Sequence, residues 1–309
     1  LNKAKYYIAA ITAYTLWGFF SLALEPIHEY AAYDILFHRV FTCAILMLII
    51  VFLFRRNKLR NTFRLIGTMP PKKRIRTIWL NIAGSVFLTS NWFSFIYAMI
   101  HISIKATSLA YLVCPILTTL LAFFILHEKL HRLQWLAVAM SIIGCLLLGY
   151  GDLKDMLFSL IIGFSYACYL VSQRMNSGLD TFIVLTFHII LSSLFLLPFY
   201  FIYGGGSPAE FTFYIYIAII AVFLTILPLF LNLYALTGIN SSVVGMLLNI
   251  NPIIGFALAT WVFHESNSPL QVVAYCIIFS AVIVFNGKEI FMWKKKPANA
   301  SNGNEYEDN

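Results

Sequence analysis

The densest cluster of chemically capable residues is His127-Glu128-Lys129-Leu130-His131, which matches H-E-x-x-H. On a helix that spacing sets two histidines on one face as zinc ligands, with the glutamate as base. The chain carries its own control. Tyr97 to Ala137 and Tyr234 to Ala274 align without a gap, pairing Pro115 with Pro252, Glu128 with Glu265 and Gln134 with Gln271, each 137 residues apart. The second copy, His264-Glu265-Ser266-Asn267-Ser268, keeps the His-Glu and loses the second histidine. The match also falls at a helix end with no third ligand, so no metal site is expected. The shared glutamates Glu128 and Glu265 suit a structural role instead, accepting backbone amides at the positive start of the next span. The five cysteines lie in apolar runs without CxxC spacing and read as small buried hydrophobes. With no Walker loop and no G-x-G-x-x-G, no nucleotide cofactor is expected either.

The second candidate is a single charge. Arg39 lies inside the apolar run DILFHRVFTCAILMLII, where an arginine costs at least about 2.5–3.5 kcal/mol on insertion scales. Two readings account for it. Arg39 snorkels to the nearby interface or pairs with Asp34, although His38 is the better helical match to Asp34 at i,i+4. Alternatively it faces an internal path and attracts a substrate carboxylate or phosphate. No acidic residue lies deep in any apolar run to neutralise it. His38 and His188 are the proton-coupling candidates, because imidazole titrates between about pH 5 and 8. Asn91, Asn232, Asn249, Asn251 and Tyr111 are polar groups inside apolar runs, which face a bundle interior, where they bind a ligand or one another. Pro115 and Pro252 each free the carbonyl four residues earlier, Tyr111 and Leu248, and are candidate hinges.

These residues must be positioned by elements that live in lipid. Hydrophobic residues make up 61% of the chain and charged residues 11%, with a mean hydropathy of +0.83; a soluble domain carries about 25% charged residues. Ten runs are long enough to span a bilayer: 5–24, 34–54, 77–99, 105–126, 133–151, 155–173, 181–203, 211–235, 240–263 and 269–290. The first run continues into aromatic residues without a small-residue cleavage site and is expected to be retained as a span. A basic loop, 55–76, follows the second span, and the polar tail 294–309 is expected to be disordered.

Charge sets the orientation. With both termini in the cytoplasm, eighteen of the 21 lysines and arginines fall on the inner side. The net charge of +8 is thus a membrane-anchoring pattern, and no nucleic-acid partner is expected. Five spans per repeat, an odd number, turn the second copy upside down. The expected fold is an all-α integral membrane protein of ten transmembrane helices in two inverted five-helix repeats, 1–151 and 152–293. Inverted repeats are a signature of secondary transporters, with the substrate bound where the repeats meet.

The chain resembles the drug/metabolite transporter superfamily, within it the EamA group and the RarD-like (chloramphenicol-sensitive protein) branch. The resemblance rests on Leu16-Trp17-Gly18, on Asp34-Ile35-Leu36-Phe37-His38-Arg39, on Asn91-Trp92 and on Thr225-Ile226-Leu227-Pro228. Pro115 with His127-Glu128 and Pro252 with His264-Glu265 complete it, so that it covers all ten spans. It implies a multi-pass carrier of the cell (inner) membrane that moves amino acids, metabolites or drugs, often outward, and it adds Trp92 to the substrate-binding candidates. Two departures stand out: the family's glycine before each glutamate is histidine here, and Glu25-Pro26 ends the first span. The function expected is secondary active export or exchange of small organic metabolites, amino-acid-like or carboxylate-bearing, with Arg39, His38, Asn91, Trp92, Tyr111, Asn232 and Asn251 on the path. The alternatives are a broad-specificity drug effluxer and a membrane-embedded enzyme.

Overall fold

The computed structural model describes residues 3–149, 153–176, 178–206, 208–262, 264 and 268–294, with side chains omitted at 104, 105 and 288–294. Among these residues there is no strand. Nine helices are long and apolar enough to cross a membrane, and a bent pair supplies a tenth span. In order, these are α1 (Ala4–Gly18) with α2 (Phe20–Leu24), α3 (Ala32–Phe54), α5 (Pro71–His101), α6 (Ile104–Leu126), α7 (Arg132–Gly149), α8 (Leu153–Met175), α9 (Thr181–Tyr203), α10 (Phe211–Ala221) with α11 (Leu227–Leu236), α12 (Ser241–Leu247) with α13 (Ile250–Trp261), and α14 (Pro269–Lys294). One further helix, α4 (Arg56–Thr68), lies between α3 and α5. The expected basic loop is therefore corrected. Its charges ride on α4 and on the first turns of α5, because Leu59, Thr62 and Ile66 give the segment one less polar face at helical spacing. The expected tail lies, beyond Lys294, outside the described residues.

Antiparallel packing of α3 on α9 defines the two ends of the bundle. At one end Tyr33 stacks on Tyr203 at 5.2 Å, and the Gly205 N–H donates to the Asp34 carboxylate at 2.8 Å. At the other, Arg55 lies 3.7 Å from Asp180 and its guanidinium sits over Phe182. The second end also carries α4, Lys129, Arg132 and Arg174 and is called the basic face below.

Three spans are irregular, each for an identifiable reason. The first bends by 44° at Phe19, between α1 and α2. The eighth contains a π-helical turn, Val222–Ile226, just before Pro228. Proline has no N–H to give the carbonyl of residue 224; Trp17 supplies the missing donor, Nε1 to Leu224 O at 2.9 Å. The ninth breaks at Leu248-Asn249, just ahead of Pro252. Pro115, by contrast, sits inside a continuous α6.

The 137-residue offset recurs in the backbone. His127 and His264 both have φ of 53°. Gln134 accepts from the His131 N–H and Gln271 from the Ser268 N–H, each at 2.9 Å.

Candidate functional site

Arg39 sits just over two turns into α3, on the side turned towards α2 and α5. Its guanidinium carbon lies 5.6 Å from the Phe20 ring centroid and 5.4 Å from that of Trp92. Tyr111 of α6 and Cys43, one turn along α3, are close enough to feel its charge. Protein surrounds the side chain, yet it keeps partial access, as do Trp17, Trp92 and Tyr111. Its Nε is buried with no hydrogen-bond partner, and no carboxylate among the described residues reaches ion-pair distance. The expected pairing with Asp34 is absent because that carboxylate accepts from Gly205 across the bundle. The ring faces offset part of the lost hydration, since a desolvated cation over an aromatic face gains about 2 kcal/mol. They leave its donors free.

A buried network lies between α1, α8 and α11. The Tyr14 hydroxyl donates to Asn232 Oδ1 at 2.9 Å, and Asn232 Nδ2 donates to the Tyr166 hydroxyl at 2.8 Å. Trp17 packs between Tyr14 and Tyr166, at 5.8 and 6.1 Å. Asn232 is thus committed to its neighbours, and so is Asn91, whose amide donates to Ile162 O at 3.0 Å and ties α5 to α8. Asn249 is buried beside the break, with its Oδ1 unpartnered, and Asn251 is half-buried in the first turn of α13.

The histidines do not join Arg39. His38 points its Nδ1 at the Asp34 carbonyl, 2.9 Å away, rather than at the carboxylate expected to hold it. Its ring sits among Phe213, Tyr214 and Tyr200, towards α9 and α10. His188 is fully buried between α5 and α8, its Nδ1 3.4 Å from the Tyr169 hydroxyl and its Nε2 unpartnered. The α3–α9 register sets residue 39 near the level of residue 197, so His188 lies about 13 Å deeper along the bundle at 1.5 Å per residue. Two recesses lie elsewhere: a small one at the basic face by Gln173, Asn176 and Thr237, and one of about 250 Å³ between Phe93, Tyr97 and Phe158.

Glu128 departs most from expectation. It does not cap α7, the next helix. Its carboxylate reaches across the bundle to the start of α12, accepting from Ser241 N at 2.8 Å, Ser242 N at 3.1 Å and Ser242 Oγ at 2.6 Å. The left-handed turn at His127 ends α6 and redirects the chain; α7 is capped instead by Gln134. Glu265 lies outside the described residues. Along the same helix pair, α12 packs closely on α6 and is buried throughout, whereas α13 meets α6 sparsely and is mostly half-exposed. At the basic face α12 is thus packed against α6, whereas α13, at the opposite face, packs on α1, with Gly18 against Ile254, and leaves α6.

Sequence reasoning missed Phe20 and the Glu128–α12 clasp. It also missed the Trp17–Leu224 bond, although the rule applied to Pro115 and Pro252 points to Leu224 when applied to Pro228.

Comparison with known proteins adds three findings. The EamA-like transporter family matches residues 4–150 and 153–287. Relatives include the uncharacterized transporter YojE of Bacillus subtilis, 27% identical over 93% of this chain and 95% of its own length. Protein RarD of Salmonella typhimurium is 28% identical over 94% and 97%. A crystal structure at 15% identity superposes with a TM-score of 0.72 over 93% of this chain and 99% of its own; at that identity it speaks for the fold alone.

Proposed function

The chain belongs to the EamA-like transporter family, and on that premise we propose that it carries small carboxylate-bearing, amino-acid-like metabolites by alternating access. It is a multi-pass membrane transporter of small molecules, not an enzyme. The reading places both termini and α4 on the cytoplasmic side of the cell (inner) membrane, with net movement outward or by exchange. Its halves, 1–151 and 152–293, are inverted copies that rock about the Arg39 region.

One observation carries the substrate class: a half-buried guanidinium held between Phe20 and Trp92, its Nε buried and unpartnered, with no carboxylate among the described residues to neutralise it. A buried charge without a counterion is costly, and a ligand carboxylate meets it with charge-assisted bonds. The flanking rings suit the apolar part of such a ligand, while the fixed positive charge disfavours the lipophilic cations of a drug effluxer. The tight α6–α12 contact and the sparse α6–α13 contact support reading it as a state open towards the face opposite the basic one. The break ahead of Pro252 is then the hinge that lets α12 and α13 move separately.

The test is counterflow of a metabolite library into liposomes containing the purified chain. Carboxylate-bearing solutes are expected to exchange, Arg39→Ala to abolish exchange while the protein still inserts, and Arg39→Lys to keep part of it. Wild-type rates in Arg39→Ala, or a preference for cations, would falsify the assignment.

A further inference from the structure

Helix α4 has no place in the transport path, yet its surface is specific. Leu59, Thr62 and Ile66 turn inward, and Arg55, just before its first turn, ties the segment to α9 through Asp180 and Phe182. Arg56, Arg60 and Arg64 follow one another at i,i+4 as an exposed stripe. Beside that stripe Phe63 leaves 64% of its surface exposed, and Leu65 is also exposed. None of the three arginines forms an ion pair with a carboxylate among the described residues.

The level of α4 is fixed by its neighbours. The chain enters it from the lipid-facing Phe52, Leu53 and Phe54 of α3 and leaves it for α5, where Ile75 and Trp79 are exposed one turn apart beside Lys72 and Arg76. Exposed aromatic residues at the ends of spans sit at the headgroup boundary. A basic helix joined directly to the ends of two spans, with an exposed phenylalanine beside its arginine stripe, is suited to a membrane interface. Arginine forks match phosphate oxygens in pairs.

We propose that α4 lies in the leaflet at the basic face and binds anionic phospholipid headgroups through Arg56, Arg60 and Arg64, with Phe63 seated among the acyl chains. A soluble nucleic acid or acidic protein would match the arginines but leave Phe63 and Leu65 in water. The inference rests on the chain's embedding in a membrane and not on the role of Arg39.

Hydrogen–deuterium exchange of residues 56–68 tests it on the full chain, in vesicles of phosphatidylcholine alone and with phosphatidylglycerol added. Exchange is expected to slow at least about tenfold with the anionic lipid. The slowing should shrink as salt is raised from about 0.1 to about 1 M, where the screening length falls from about 10 to about 3 Å. Residues 181–203 should exchange alike in both membranes. The triple variant R56Q/R60Q/R64Q should lose the difference; if it fails to insert, the wild-type comparison alone decides. Equal exchange of the wild type in both membranes overturns the proposal. So does equal protection by soluble pyrophosphate in phosphatidylcholine alone.

Discussion

Replacing Glu128 with alanine tests whether the carboxylate holds the basic face shut. The carboxylate takes two backbone N–H groups and one hydroxyl at the start of α12. When the halves separate, those donors and the carboxylate regain water, so full hydrogen-bond energies do not apply. What remains is the loss of an N-cap, about 1–2 kcal/mol, plus up to about 1 kcal/mol for a negative charge at a helix N-terminus. A total of about 1–3 kcal/mol favouring the closed arrangement is a roughly 5- to 150-fold bias in its population, a factor of ten per 1.4 kcal/mol. Glu128→Gln should fall between, because one amide oxygen still accepts while the NH2 group opposes the second donor. A second, independent route leads to the same end. A Cβ on Gly245 would stand 2.7 Å from Thr118 Cβ, so Gly245→Val must push α12 off α6. Spin labels at the exposed positions 129 and 240, in a background with the exposed Cys276 changed to serine, report the separation in lipid. Both variants should add a longer distance that becomes dominant. If Gly245→Val lengthens it and Glu128→Ala does not, packing alone closes the face and the carboxylate is only a cap.

Three further outcomes follow from local geometry. Trp17→Phe removes the donor that satisfies Leu224 O beside Pro228; leaving that buried carbonyl unmet should cost about 1–3 kcal/mol, read as a lower thermal midpoint in detergent. His127→Gly should raise that midpoint by the equivalent of about 0.5–1 kcal/mol. A left-handed residue with a side chain costs about 1–2 kcal/mol, glycine's chain entropy returns part of this, and the exposed His127 ring gives up no buried packing. His188→Gln tests the proton relay: transport measured between about pH 5 and 8 should flatten if the imidazole carries the proton. An unchanged profile removes it from coupling.

The sequence made the spans legible because each depends only on a continuous apolar run, and the observed helices begin and end within a few residues of expectation for most of them. The third begins earlier, at Pro71, because lysines and arginines in its first turns hide a helix that hydropathy cannot register. Helix α4 was hidden for the same reason, although Leu59, Thr62 and Ile66 keep helical spacing. Side-chain partners were far less legible. Asn232 meets Tyr14 and Tyr166, 218 and 66 residues away in the chain, and Glu128 meets Ser241, 113 residues away. Nothing in the neighbouring sequence distinguishes an asparagine that binds another helix from one that faces a ligand. Arg39 was legible as an anomaly because its cost is set by depth alone, whoever its neighbours are.

Its neighbours give that anomaly a sharper meaning. Lipid tolerates irregular backbone only where protein buries it or a polar space receives it. One of the three irregular stretches meets Arg39 and a second meets its helix one turn away. The bend at Phe19 carries Phe20 over the guanidinium. The π turn after α10 leaves Ala221 O to Cys43 Sγ at 3.5 Å, one turn along α3 from Arg39, and Leu224 O to Trp17. Straightening the first span is expected to draw Phe20 off the guanidinium, so the bend belongs to the proposed site as much as the charge does.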